Sequence, residues 1–479
     1  MPTRRPRLAS VATDALSDSF ADLARELDLP AGFPPEVQSE ADAAARAVPV
    51  DPEVAGLADL RGIPFVTIDP PGATDLDQAV YLDRTGDGAV LHYAIADVAA
   101  FVAPGGAVDA EASRRGQTLY APDRRFPLHP EVLSEQAASL LPDADRRAFV
   151  WRFVLDEGAR PVETTLTRAT VRSRAQCTYA GAQRAIDRDD APATLRALAW
   201  FGAQRAARES ERGGASLNVP EAEVLADDGH YRLRLRATLP VEEWNAQVSL
   251  LTGMAAADLM IAGGVGILRT MPAAEPADIA AFRAQTIALG LPWPDDQTYG
   301  DYLRALPVGD PAALAVRDAA ASLFRGAGYA AFDGDPPADP VQSAIAAPYA
   351  HTTAPIRRLV DRWSLVICDA LANGRDVPRW ARESLPELPK LMGRSEQLAN
   401  RLENASLDRV EAAMLHPYEG ELFRGVVLGV RSDGARVQLS DPPVSVKVPD
   451  LPAAPGSVVR LRLVRADVQT GEILLVPAD

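Results

Sequence analysis

The sequence predicts an α+β fold in which a mixed-sheet central unit takes most of the chain, and three observations predict it. Between residues 51 and 415, apolar strand-like runs at 63–68, 78–83, 89–98, 147–155 and 163–173 are interleaved with long helical stretches. From 418 to 479, five short alternating runs separated by turns such as Ser432-Asp433-Gly434 spell a five-stranded OB-type β-barrel. Before residue 50 the chain is polar and Ala-rich, a short helical N-terminal segment. With 479 residues, about three domains are expected.

In that first segment Leu16, Phe20, Leu23 and Leu27 recur near helical spacing, and Pro30-Ala31-Gly32-Phe33-Pro34-Pro35 breaks the helix before a second over Glu36 to Ala47. Neither helix has a basic stripe, so a cap on the central unit is favoured over a module that grips RNA or a partner. A net charge of −17 argues against a protein that coats itself in nucleic acid, but not against a local basic path. No run of about 18 apolar residues is present, so no membrane span is expected. The basic start lacks an apolar follow-on, so a secretory signal is not expected. Cys177 and Cys368 are far apart and read as reduced core residues of a cytoplasmic protein. The five histidines make no zinc-ligand spacing.

The chemistry is expected at Thr67-Ile68-Asp69-Pro70-Pro71-Gly72-Ala73-Thr74-Asp75-Leu76-Asp77-Gln78-Ala79. Apolar strands flank a Pro-Pro-Gly loop, so Asp69, Asp75 and Asp77 are clamped together. Repelling carboxylates need an offsetting charge; a divalent cation with oxygen ligands supplies one, and an acidic surface turn is the plainer alternative.

Further stretches accompany it: Tyr93-Ala94-Ile95-Ala96-Asp97-Val98, Arg115-Gly116-Gln117-Thr118-Leu119-Tyr120-Ala121-Pro122-Asp123, Phe126-Pro127-Leu128-His129-Pro130, Ser139-Leu140-Leu141-Pro142, and Tyr349-Ala350-His351-Thr352-Thr353-Ala354-Pro355-Ile356-Arg357-Arg358 with Asp361. In that order they resemble the RNB-domain signature of the ribonuclease II / ribonuclease R family of exoribonucleases. The resemblance implies an RNB catalytic domain followed by an S1-type barrel. It implies processive, hydrolytic 3′→5′ degradation of single-stranded RNA to 5′-nucleoside monophosphates in RNA turnover. It implies one or two Mg²⁺ ions, with Mn²⁺ as a substitute, held by Asp69, Asp75 and Asp77. Gln78 stands where the family has a fourth acid, and its neutral carbonyl is a weaker ligand. Tyr120 matches an aromatic that stacks on an end base, although a core tyrosine would read the same way. The partner stacker falls near Leu217, which is not aromatic. Glu243 or Glu242 matches a glutamate that senses ribose hydroxyls; helix-start glutamates favoured by the macrodipole are the plainer reading.

Pro355 is expected at the first position of a helix running to Asn373, with Gly374 as its stop. Arg357 and Arg358 would then lie in its first turn, where the N–H groups favour an anion. Arg357 is assigned the scissile phosphate, with Asp77 as the other catalytic residue. Arg358 is assigned either the strand or a salt bridge to Asp361. Asp97 reads as structural before it reads as metal support. The barrel lacks surface aromatics, and Arg424, with Arg431, Arg436, Lys447, Arg460, Arg462 and Arg465, would track an RNA backbone. The rival expectation is a catalytically silent RNB-fold protein that binds RNA or a partner. A monomer is expected.

Overall fold

In the computed structural model, residues 10–215, 221–227, 230–236, 238–307, 310–320, 323, 325–431, 434–442 and 444–478 are described. The chain begins with α1 (Ser10–Glu26) and α2 (Pro35–Ala47), followed by strands β1 (Phe65–Asp69), β2 (Gln78–Thr85), β3 (Gly88–Ala96), β4 (Asp145–Leu155) and β5 (Pro161–Thr178). β1, β2, β3 and β4 are antiparallel neighbours in that order. The long β5 pairs with β4 along its first part and runs parallel to β1 along its last, so the five strands close on themselves. The mixed sheet is therefore a ring. β1, β3 and β4 read as largely apolar runs where both faces are covered, whereas β5 is polar and is exposed over residues 161–165. Val80, Tyr93, Trp151 and Leu166 lie in one core, and Phe65, Ala79, Ala94 and Val150 in another.

The helices α3 (Ala193–Arg212), α4 (Pro240–Gly263), α5 (Leu359–Ala372) and α6 (Leu388–Leu415) complete the central unit. α4 starts with Pro240, and the Glu242 carboxylate accepts from the Leu239 N–H at 3.1 Å, which caps the helix. Gly264, at φ 68°, ends it in the left-handed conformation that glycine adopts freely. Among the described residues α4 alone is long and apolar enough to cross a membrane, and 44% of its most apolar stretch is buried inside the fold. That length of mixed alanine, leucine and methionine was not visible as an unbroken apolar run, because Asn245, Gln247, Ser249 and Thr252 punctuate it. A Cβ on Gly253 would meet the Tyr349 ring at 2.1 Å, and its carbonyl accepts from Ala350 N–H at 3.0 Å. α4 is thus the wall against which the 349–358 segment is laid.

The C-terminal barrel comprises β6 (Leu422–Arg431), β7 (Gly434–Leu439), β8 (Ser445–Val448), β9 (Val458–Ala466) and β10 (Ile473–Pro477), in the spatial order β8-β7-β6-β9-β10. Its inward residues, Val427, Val437, Val446, Leu461, Leu463 and Leu475, form one core with Val410, Met414 and Leu415 of α6 and with Leu16 and Phe20 of α1. Ser19 donates to the Val468 carbonyl at 2.9 Å and accepts from Arg409 at 3.0 Å. α2 packs elsewhere: Glu40 accepts from the Ala107 and Val108 N–H groups at 2.7 and 3.2 Å.

The helix expected from Pro355 begins instead at Leu359. Residues 355–358 are held as a turn, because Thr118 N–H donates to the Arg357 carbonyl at 2.9 Å and Leu359 N–H to the Gly116 carbonyl at 3.0 Å. Arg358 is extended, with φ −139° and ψ 120°. The expected end is met: Asn373 caps α5 and Gly374 follows at φ 62°.

Candidate active site

The acidic loop owes its shape to Pro70-Pro71-Gly72. Ala73 N–H closes a turn onto the Pro70 carbonyl at 3.3 Å, and Gly72 at φ 78° takes the turn position that needs a positive φ. Ser139 then pins the descending limb, donating to the Thr74 carbonyl at 2.6 Å and accepting from Leu76 N–H at 2.9 Å. Asp69 ends β1, and Gln78 opens β2.

Asp77 is buried, 4% exposed. Its Oδ1 accepts the Ile356 N–H at 2.7 Å, and its Oδ2 lies 3.4 Å from Arg357 Nε. Burial nonetheless pushes its carboxyl up to about 8, with Asp361 and Asp75 adding to the rise against Arg357 and the Ile356 N–H. Asp69 is raised to about 6, again chiefly by burial, with Asp75 contributing. Its Oδ2 is buried without a hydrogen-bond partner. Asp75 is engaged by Arg125 Nη1 at 3.3 Å, and Arg125 also binds Thr74 Oγ1 at 3.3 Å and Glu135. Glu135 in turn accepts from Thr74 at 2.7 Å.

The 353–358 segment faces this loop. Gln78 Nε2 donates to the Thr353 carbonyl at 2.5 Å, so the amide that replaces an acid fastens the two segments together. Arg357 keeps half of its side chain exposed. Arg358 is inward, forking onto Asp361 with Nε–Oδ2 at 2.5 Å and Nη2–Oδ1 at 2.8 Å. Asp361, fully buried, also accepts Ala354 N–H at 2.7 Å. The support expected for Arg357 from a helix N-terminus is therefore replaced by Asp77 and by the backbone of Gly116–Thr118.

Tyr120 is 53% exposed and lies opposite Arg125 in a two-stranded ladder, which sets its ring beside the acidic loop. Leu217 lies outside the described residues. Glu243 is not brought to the acids; it lines a hollow of about 330 Å³ with Glu209, Trp244, Asp301 and Arg304. Asp97 is structural: fully buried, it accepts from Arg168 Nη2 at 2.7 Å and from Arg147 Nε at 3.3 Å. Arg424 is exposed on the barrel, directly opposite Arg460. Arg125, Glu135 and the role of Thr353 escaped the sequence reading, because the contacts that reveal them are not encoded by local spacing; the place of Arg125 between two family-like stretches and of Thr353 within another were the available signals.

Among the described residues no three Asp, Glu, His or Cys side chains converge closely enough to hold a metal ion. Arg125 draws Asp75 to one side, and Arg357 holds Asp77. The donor set still suits a hard divalent cation. Asp69 offers an unpartnered buried oxygen, and burial penalises the charges of Asp69 and Asp77, a penalty that an adjacent cation would relieve.

The sequence matches the model of the RNB domain over residues 57–368 and that of the RNase II-type exonuclease C-terminal S1 domain over 421–478. It is 35% identical to the human exosome complex exonuclease RRP44 over 196 residues, 40% of this chain and 20% of that protein. It is 26% identical to Escherichia coli ribonuclease R across 92% of this chain and 57% of that protein. The chain thus spans less than two thirds of the length of these relatives. The structure of Mycoplasma genitalium RNase R in complex with ribose-methylated single-stranded RNA superposes with a TM-score of 0.87, covering 97% of this chain and 78% of that one at 18% identity.

Proposed function

The chain belongs to the RNB-domain family, and from that premise we propose that it hydrolyses single-stranded RNA from the 3′ end, processively, releasing 5′-nucleoside monophosphates. The observation that carries this reading is the contact of Asp77 with the half-exposed Arg357, across two segments fastened to each other, with Asp69 and Asp75 on the same loop close enough to feel each other's charge. The names and bound RNA of the relatives support the substrate class. The setting proposed is cytoplasmic RNA turnover by a monomer.

Each residue has a task in this reading. Asp69, Asp75 and Asp77 would hold one or two Mg²⁺ ions, Asp75 exchanging Arg125 for metal, while Gln78 is tethered by its amide nitrogen. Bound Mg²⁺ would supply an activated water and charge stabilisation at the leaving oxygen. Arg357 presents two donors to the phosphate, oriented by Asp77 at its Nε. Tyr120 stacks on an end base, worth roughly 1–3 kcal/mol and indifferent to sequence. Arg424 guides the strand on the barrel. The test is incubation with labelled poly(A) and Mg²⁺, with an EDTA control and the Asp77→Asn variant. Mononucleotides are expected only from the wild type with metal, and their absence there would overturn the proposal.

A silent RNA-binding protein is the second reading. It is favoured by Gln78, which spends its amide on Thr353 where a metal-binding acid is expected. Tight RNA binding without mononucleotides would establish it.

A further inference from the structure

Away from the acidic loop, a groove of about 910 Å³ is lined by β4, β5, α3, α4 and the end of α5; Asp69, Asp75, Asp77, Tyr120 and Arg357 take no part in it. Arg205 and Trp151, 4% and 1% exposed, line it together with the half-buried Arg212. Three of their N–H groups are buried without a hydrogen-bond partner: Arg205 Nε, Arg212 Nη2 and Trp151 Nε1. Buried donors normally find acceptors, so three unmet donors in one groove describe the complement of a ligand rich in acceptors.

The arginines are poorly served by the protein itself. Arg205 Nη1 reaches the Ala159 carbonyl at 3.3 Å, and Arg212 Nε the Ile345 carbonyl at 3.4 Å. Glu209, between them on α3, accepts from Gln247 Nε2 at its Oε2 at 2.6 Å and is the carboxylate whose charge favours both guanidinium groups. Burial and the neighbouring arginines pull Arg205 down to about 10. Thr164, Thr165 and Thr167 add hydroxyls at the rim. Among the described lining residues Asp258 of α4 is the one acid, and it is exposed. Leu166, Leu251, Met254 and Leu259 supply an apolar wall. Two guanidinium groups match a phosphate, and the volume and apolar wall match a planar body attached to it.

We infer that this groove binds a phosphate monoester of nucleoside-monophosphate size, its phosphate on Arg205 and Arg212 and its base against the leucine and methionine wall. The site goes beyond the proposed hydrolysis and stands whether or not the acidic loop cleaves RNA.

Isothermal titration of the full chain in EDTA with AMP, adenosine and inorganic phosphate tests it, without RNA or metal. AMP is expected to bind one site, and adenosine and phosphate each to bind about tenfold or more weakly. Arg212→Gln should weaken AMP by about tenfold, while Arg357→Ala leaves it unchanged. Arg205→Lys, which keeps the charge and loses the fork, should weaken AMP as well and decides the matter if Arg212→Gln fails to fold. Adenosine or phosphate binding as tightly as AMP overturns the inference. So does AMP binding that is lost in Arg357→Ala and kept in Arg212→Gln, since the acidic loop is then the site. Absence of AMP binding to the wild type overturns it too.

Discussion

Lysine at position 358 separates the two adjacent arginines of the turn. The Arg358 fork places two charge-assisted bonds, at 2.5 and 2.8 Å, on a carboxylate with no exposed surface. Lysine retains the charge but replaces the two-nitrogen fork with a single nitrogen, so one of the two charge-assisted bonds to Asp361 is lost. A bond to a charged group contributes about 1.5–3 kcal/mol, so Arg358→Lys should cost about 2 kcal/mol of stability. A solvent-exposed salt bridge would tolerate lysine; burial of Asp361 removes that tolerance. Arg357→Lys is the counterpart. That side chain is 50% exposed and touches Asp77 only at 3.4 Å, so its stability cost should stay below about 1 kcal/mol. Its cost to turnover, if Arg357 serves the phosphate, should be about 10²-fold in kcat with little change in KM. Urea midpoints at unchanged slope, measured in EDTA, give the stability; single-turnover rates on a short oligonucleotide with Mg²⁺ give the chemistry. If Arg358→Lys is as stable as the wild type, or Arg357→Lys is the more destabilised, the division of labour is wrong.

Gln78→Asp removes the donor to the Thr353 carbonyl and sets a carboxylate against it, so stability in EDTA should fall by about 1–3 kcal/mol, with Mg²⁺ restoring part. Equal melting of the two proteins in EDTA would show that the amide tie contributes nothing. Glu411, buried under the barrel with Ser445 N–H at 3.1 Å, is pushed up to about 8, first by burial. A folded-state value above the ordinary one near 4.5 means stability that is complete below that value and lost as pH rises through about 8. Glu411→Gln should therefore melt above the wild type at pH ~9 and lose that advantage at pH ~5; a parallel pH dependence in both would contradict this. Arg424 and Arg460 face each other as like charges across β6 and β9, an arrangement that an RNA phosphate would relieve if the barrel guides the strand as proposed. Converting both to glutamine should lower the salt slope of RNA binding by about 0.7 for each, and an unchanged slope would remove the barrel from the binding path.

Where one segment determines its own shape, the sequence was legible. Most ring strands announced themselves through apolar runs, β5 by β-branched residues instead, and the Pro70-Pro71-Gly72 turn through its residue types. The barrel was readable from alternation and glycine turns. What failed depended on distant backbone: Pro355 read as a helix start, but Gly116–Thr118 captures the hydrogen bonds of 357–359 first. Arg125 could not be matched to Asp75, nor Gln78 to Thr353, because no local spacing encodes contacts 50 and 275 residues apart. The N-terminal helices were legible as helices, and the cap expected on the central unit is what α2 makes; that α1 joins α6 and the barrel instead was not legible.

The core that joins α1 to the barrel has a consequence for synthesis. Ser19 and Val468 are separated by 449 residues. At about 5–20 residues per second, the segment of α1 is made roughly 20 to 90 seconds before the strand loop that completes its surroundings exists. Throughout that interval Leu16 and Phe20 have no barrel to enter. Until those strands form, the apolar stripe of α1 lacks the core that covers it in the finished fold.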